Sequence, residues 1–118
     1  MDEIKVIKVL KNDLHFSNSS INNLKEFHNY LIEYNNRYNL ISKNTLKTVW
    51  LRHILDSAQI VKFIDTSKDS KIIDLGSGAG FPGLIIAIYN ENKKFHVKLY
   101  EKSPVKREFL LNIKEKLK

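Results

Sequence analysis

Residues Lys71 to Gly83 read Lys-Ile-Ile-Asp-Leu-Gly-Ser-Gly-Ala-Gly-Phe-Pro-Gly and hold every glycine of the chain: Gly76, Gly78, Gly80 and Gly83. One of the two prolines, Pro82, sits there as well. Glycines gathered in one place require a backbone that turns sharply or comes very close to a neighbour. A short apolar run with Ile72 and Ile73 precedes them, and a second, Leu84 to Ile88, follows. The pattern predicts strand, glycine loop, helix. That arrangement aims free backbone N–H groups and a helix N-terminus at whatever lies above the strand.

Two ligands compete for such a loop. Gly78-x-Gly80-x-x-Gly83 matches the dinucleotide fingerprint, a weak signal when it stands alone. Asp74, at the end of the strand, argues for another ligand, because a carboxylate repels a pyrophosphate and suits a cation. S-adenosylmethionine carries a sulfonium and an ammonium and no phosphate, so Asp-x-Gly-x-Gly-x-Gly fits it better. The loop also lacks the Gly-Lys-Ser/Thr ending of a triphosphate-binding loop. A purely structural turn is the bland alternative, and four such glycines in eight residues exceed what turn chemistry asks for.

The 118 residues amount to one domain at most, with room for a small appendage. By size scaling such a chain buries roughly two thirds of its unfolded surface. It has no cysteine, hence no disulfide frame, no thiolate metal site and no cysteine nucleophile. With no apolar run of about 18 residues and no apolar signal core, it reads as a cytoplasmic protein without a membrane partner. The net charge of +7 is uneven: from Lys93 onward nine basic residues face three acidic ones. A basic tail suits a nucleic-acid partner. It equally suits the lysine-rich composition of an AT-rich genome, since only three of twenty basic residues are Arg.

Taken in order, residues 2–14 read as a short amphipathic helix, with Ile4, Ile7, Leu10 and Leu14 inward. Ser17 is a candidate N-cap, with Phe16 and Ile21 as a hydrophobic staple. Leu24, Phe27, Leu31, Tyr34 and Tyr38 form one stripe of a second helix ending near Tyr38-Asn39, where Asn can take a left-handed backbone. A third helix, capped by Ser42, Asn44 or Thr45, runs to about Ile64 with Leu46, Trp50, Ile54, Ala58 and Val61 buried. Within it His53 and Asp56 share a face, as do Arg52 and Asp56. That cluster reads either as an acid–base pair or as hydrogen bonds tying this helix to the glycine loop. After a turn-rich link at Asp65–Ser70 come the strand, the loop and a helix from Gly83 to about Tyr89. Phe95, Val97 and Leu99 then alternate with polar residues as a second strand ending at Glu101. Glu101 follows Gly80 by 21 residues, where a doubly wound fold puts the acid that binds ribose hydroxyls. Ser103 and Pro104 open a last helix with Val105, Phe109, Ile113 and Leu117 inward. Two parallel strands leave edges and faces uncovered, so half of a doubly wound sheet is expected to be missing or supplied by association.

Several motifs appear in sequence: Asn39-Leu40-Ile41, Trp50-x-Arg52-His53-Ile54-Leu55-Asp56-Ser57, the Asp74–Gly83 loop, and Lys106-Arg107-x-Phe109-Leu110. From about Leu24 onward the chain resembles the bacterial ribosomal small-subunit methyltransferase G family, also called glucose-inhibited division protein B. The resemblance implies an α/β fold: an N-terminal helical extension (1–66), then the first half of a class I, Rossmann-like methyltransferase domain (67–118). It implies S-adenosylmethionine-dependent methylation of N7 of a guanine in 16S ribosomal RNA, with the small ribosomal subunit as partner and no metal. Carried over by position, Gly76, Gly78, Gly80 and Phe81 line the cofactor, with Asp74 below it and Glu101 at the ribose. Asn39, Arg52 and His53 lie near the cofactor or target cleft. Glu101 departs from the Asp frequent at that position. Later family elements, an Arg-Ala strand end and a Leu-Lys-Gly strand, are absent from the sequence. The alternatives that stay open are a remnant that binds cofactor or RNA without turnover, and a dinucleotide-binding half-domain.

Guanine N7 has an in-plane lone pair and no proton, so methyl transfer to it needs no general base and no catalytic residue is assigned. Positioning of two bound reactants is worth up to about 7–11 kcal/mol of barrier. The target base must leave its stack, at a cost of a few kcal/mol. Lys98, Lys102, Lys106 and Arg107 are the candidate phosphate contacts.

Overall fold

The structure is a computed structural model that describes residues 2–117. Helix α1 (Glu3–Asn12) is capped by Asp2, whose carboxylate accepts the Lys5 N–H at 3.0 Å. Its buried residues are Val6 and Leu10, continued by Leu14, while Ile4 is 66% exposed. The inward face therefore steps through 6, 10 and 14, not through Ile4 as the apolar count suggests. The Phe16 N–H returns to the Leu10 carbonyl at 2.9 Å, and His15 has a φ of +61° at the turn that closes the helix.

Ser17 caps α2 (Asn18–Asn35) by accepting the Ser20 N–H at 3.0 Å, with Phe16 and Ile21 both buried beside it. Leu24, Phe27 and Leu31 are fully buried, whereas Tyr38 is 45% exposed. The helix stops three residues earlier than its stripe predicts, and no left-handed Asn ends it. Instead the Asn35 side-chain oxygen accepts from the N–H groups of Leu40 and Ile41, at 2.9 and 3.1 Å. A side chain that satisfies the following loop offers the backbone an alternative to continuing the helix.

The third helical segment is not one α-helix. It passes from a 3-10 stretch (Lys43–Thr48) through a π-helical stretch (Trp50–Leu55) and a single α turn, α3 (Asp56–Ala58), into a second 3-10 stretch (Gln59–Phe63). Val49 and Trp50 are buried, and so are Ile54 and Leu55 five positions later. This spacing matches the i→i+5 repeat of a π-helix and brings two adjacent residues per turn into the core. An α-helix would have turned Val49 or Leu55 away.

Strands β1 (Lys71–Leu75) and β2 (His96–Tyr100) pair in parallel, Lys71 opposite His96 through to Leu75 opposite Tyr100. The crossover contains α4 (Gly83–Tyr89), and α5 (Pro104–Lys116) follows β2 with Ser103 as its cap and Pro104 in its first turn. Phe109, Leu110 and Ile113 are its buried residues. One core joins the helices before residue 66 to those after it. Phe27 of α2 meets Phe109 of α5 at 6.2 Å between ring centroids, and the Ser20 hydroxyl donates to the Ile88 carbonyl of α4 at 2.7 Å. No helix of the described residues is long and apolar enough to cross a membrane.

Candidate functional site

The glycine loop leaves β1 at Gly76 and enters α4 at Gly83. Gly76, Gly78 and Gly80 all have positive φ, at 76°, 57° and 114°. Gly80 is doubly constrained, since a Cβ there would lie 2.8 Å from Leu84 Cβ. Gly83 has an ordinary backbone, but a Cβ would meet Leu99 and come within 2.7 Å of the Asp74 carboxylate. That glycine is required by close approach alone.

The loop does not offer a row of free N–H groups, contrary to the expectation for a strand–loop–helix of this kind. The N–H groups of Gly76 and Ser77 both donate to the Tyr100 carbonyl, at 2.8 and 3.0 Å, which straps the loop to the end of β2. Those of Gly80 and Phe81 donate to the Ser77 carbonyl, at 2.9 and 3.2 Å. Gly78 N–H donates to Glu101 Oε1 at 2.7 Å, and Gly83 N–H to Asp74 Oδ2 at 3.0 Å. Two carboxylates thus occupy donors that a phosphate nest would keep for its ligand.

Glu101 is fixed from both sides. Its Oε2 accepts the Ser103 N–H at 2.9 Å, so one carboxylate joins the α5 cap to the glycine loop. The Ser103 N–H, then the Gly78 N–H, hold its carboxyl below the usual glutamate range, helped by the nearby Lys106 ammonium. Asp74 is half-buried beneath the loop, with its backbone carbonyl accepting the Ser77 hydroxyl at 3.2 Å.

Phe81 is half-buried, and its ring is shared by two elements of the helical region. It stands edge-on to Phe27, 5.6 Å between centroids, and stacks on His53 at 4.8 Å with 24° between planes. His53 makes no hydrogen bond to Asp56. Its Nε2 pairs with the Thr45 hydroxyl at 3.0 Å, and the Asp56 charge only opposes the burial that pushes the imidazole below its ordinary pKa. The tie between this helix and the loop is therefore ring stacking, and the acid–base pair is not formed. Arg52 is exposed, and it makes no ion pair with Asp56; among the described residues the one ion pair is Lys68–Asp65 at 4.0 Å. Asn39 is exposed and, with residues 40–43 and Lys106, lines a cleft of about 470 Å³. Among the described residues no group of three or more His, Asp or Glu could hold a metal ion.

Sequence reasoning missed Asn35, Thr45 and Lys43. Thr45 lies eight positions before His53, about 12 Å away along the single α-helix the sequence suggests, and meets it only because the chain changes helical type between them.

A family model described as rRNA small subunit methyltransferase G matches residues 20–118. The chain is 46% identical over 88 residues to the ribosomal RNA small subunit methyltransferase G of Syntrophomonas wolfei, a match covering 75% of this chain and 40% of that protein. With the protein of the same name from Orientia tsutsugamushi (strain Ikeda) the identity is 40%, covering 82% and 47% respectively. For that of Novosphingobium aromaticivorans the figures are 39%, 77% and 40%. The chain belongs to the rRNA small subunit methyltransferase G family. It spans about half the length of the curated relatives it matches.

Proposed function

We propose that this chain forms the cofactor-binding part of a class I, Rossmann-like enzyme that uses S-adenosylmethionine to methylate N7 of a guanine in 16S ribosomal RNA, acting in the cytoplasm on the small ribosomal subunit. The observation that carries the choice of cofactor is the occupation of the loop's donors by Glu101 and Asp74. A dinucleotide pyrophosphate would have to displace one carboxylate and lie beside the other. A cofactor with no phosphate and two cationic groups suffers neither penalty.

The residues present fit that cofactor. A Cβ at Gly76 or Gly78 would meet nothing within 4 Å, so the loop's outer side is open to a close ligand. Each Glu101 oxygen accepts one N–H and keeps a further acceptor site for ribose hydroxyls. Gly76, Gly78, Gly80 and Phe81 would form the wall, with Asp74 below and Glu101 at the ribose. When bound, S-adenosylmethionine supplies a methyl group on a positively charged sulfur. The chain's own residues hold and orient. Phe81, wedged between Phe27 and His53, keeps the loop from collapsing, and the half-buried His53 ring excludes water from that side. Guanine N7 needs no proton removed, so the reaction asks none of these residues to act as a base.

Titration calorimetry of the full chain against S-adenosylmethionine and against NAD tests the reading. Binding of the first and not the second is expected. Glu101→Ala should weaken binding by about tenfold or more, the loss of hydrogen bonds to a charged group worth about 1.5–3 kcal/mol. Preference for NAD overturns it. Transfer of labelled methyl to small-subunit RNA, mapped to guanine N7, tests the reaction itself. A second reading, binding without turnover, is favoured by the open sheet face, where Leu75 is 78% and Ile73 47% exposed. Cofactor binding with no methyl transfer would decide for it.

A further inference from the structure

We infer that the cleft between residues 39–43 and Lys106 docks a phosphate of the RNA strand that carries the target base, an inference that rests on the RNA-methylating function proposed above. The cleft holds about 470 Å³ and is lined by Asn39, Leu40, Ile41, Ser42, Lys43 and Lys106, with no acidic residue among them. Two lysines, an asparagine and a serine line one space, a set of donor side chains suited to an oxyanion. Neither lysine is in an ion pair; the one pair among the described residues is Lys68–Asp65. Glu101 attracts Lys106 but does not line the cleft, and one carboxylate against two lysines leaves the cleft net positive.

The cleft floor is fixed. Leu40 is 5% exposed, and the Asn35 side chain ties down the N–H groups of Leu40 and Ile41. Both walls lead to the glycine loop. On one side the Ser42 hydroxyl pairs with the Thr45 hydroxyl at 3.2 Å, Thr45 with His53, and His53 stacks on Phe81. On the other, the Lys106 N–H donates to the Ser103 hydroxyl at 3.3 Å, and Ser103 is joined through Glu101 to Gly78. A phosphate held here would anchor the strand against both supports of the loop.

The structure also divides the basic residues that the sequence grouped together. Lys98 and Arg107 line a separate groove of about 860 Å³ between β2 and α5, together with Val97, Leu99 and Glu101. Lys114 lines it too, but the groove is largely apolar and the Glu101 carboxylate lies among its cations, a poorer match for a phosphate than a cleft lined by no acid. Lys106 alone of the group reaches the 39–43 cleft, and its partner there is Lys43.

The test measures binding of a short single-stranded oligonucleotide of small-subunit rRNA to the full chain across a potassium chloride series. The variants are Lys43→Gln, Lys106→Gln, the double variant and Lys98→Gln, each checked by circular dichroism. Each cleft substitution should flatten the log K against log salt slope by about 0.7, and the double variant by about 1.4, since one released counterion contributes about 0.7 on a single strand. Lys98→Gln should leave the slope as it is, and S-adenosylmethionine affinity should be the same in all. RNA binding with an unchanged slope in the folded double variant overturns this inference and leaves the proposed function standing. No RNA binding by the unsubstituted chain, with cofactor binding intact, overturns both.

Discussion

The helical region and the sheet bury their apolar residues by different rules. In α2, Leu24, Phe27 and Leu31 lie at 0% exposure because neighbouring helices and the Phe81 and Phe109 rings close over them. In the sheet, burial alternates only between half-buried and exposed, and Ile73, Leu75 and Tyr100 stand 47%, 78% and 52% exposed. An amphipathic helix has one apolar stripe, and a single partner covers it. A parallel strand has two apolar faces and requires a layer on each. The helical region therefore reaches full burial within this chain, whereas β1 and β2 are half-buried on one side and exposed on the other.

The sharpest way to break this contrast is a pair of truncations read by urea unfolding. Phe27→Ala should cost about 3–5 kcal/mol, the range for a fully buried aromatic. Leu75→Ala should stay within about 0.5 kcal/mol, as for an exposed position. Equal effects would mean that the open face is covered in solution. Gly83→Ala probes the junction of the two regions with a smaller expected effect. Its Cβ would meet Leu99 and Asp74, so a loss of about 1–3 kcal/mol is expected, as for overpacking, together with weakened cofactor binding. Unaltered stability would show that β2 shifts freely beneath α4.

The smallest effect is a dependence on pH that, in the histidine range, arises on the helical side. Burial pushes both His28 and His53 below the ordinary histidine value of 6.5, against the opposing charges of Glu3 and Asp56. The unfolded chain then binds more protons than the folded one in the window just below 6.5, so stability rises with pH through that window and levels off above it. Unfolding midpoints taken at about pH 5 and about pH 7.5 should differ in that direction, and His53→Phe, which keeps a ring on Phe81, should shrink the difference. A midpoint that falls as pH rises across this window would contradict the burial of the two rings.

Much of this was legible from residue order. Ser17 and Ser103 are caps, Val97 and Leu99 alternate with polar residues in β2, although Phe95 falls in the turn before it, and the glycine loop joins β1 to α4. These features rest on contacts within a few residues, and local spacing encodes them. The π-helical stretch at Trp50–Leu55 was not legible, because a shift from α to π is decided by what the core on the other side must receive. Nor was the early stop of α2, set by an Asn35 side chain that reaches forward five and six residues.

The sequence by itself determined where the chain must bend, which helices are amphipathic and where a candidate cofactor loop lies, since glycine, proline and periodicity act through the local backbone. Only the tertiary structure decided what the loop's N–H groups do. Glu101 meets Gly78 across 23 positions, and His53 meets Phe81 through packing of separate elements. Such pairings depend on how the elements pack in three dimensions, and no spacing along the chain announces them.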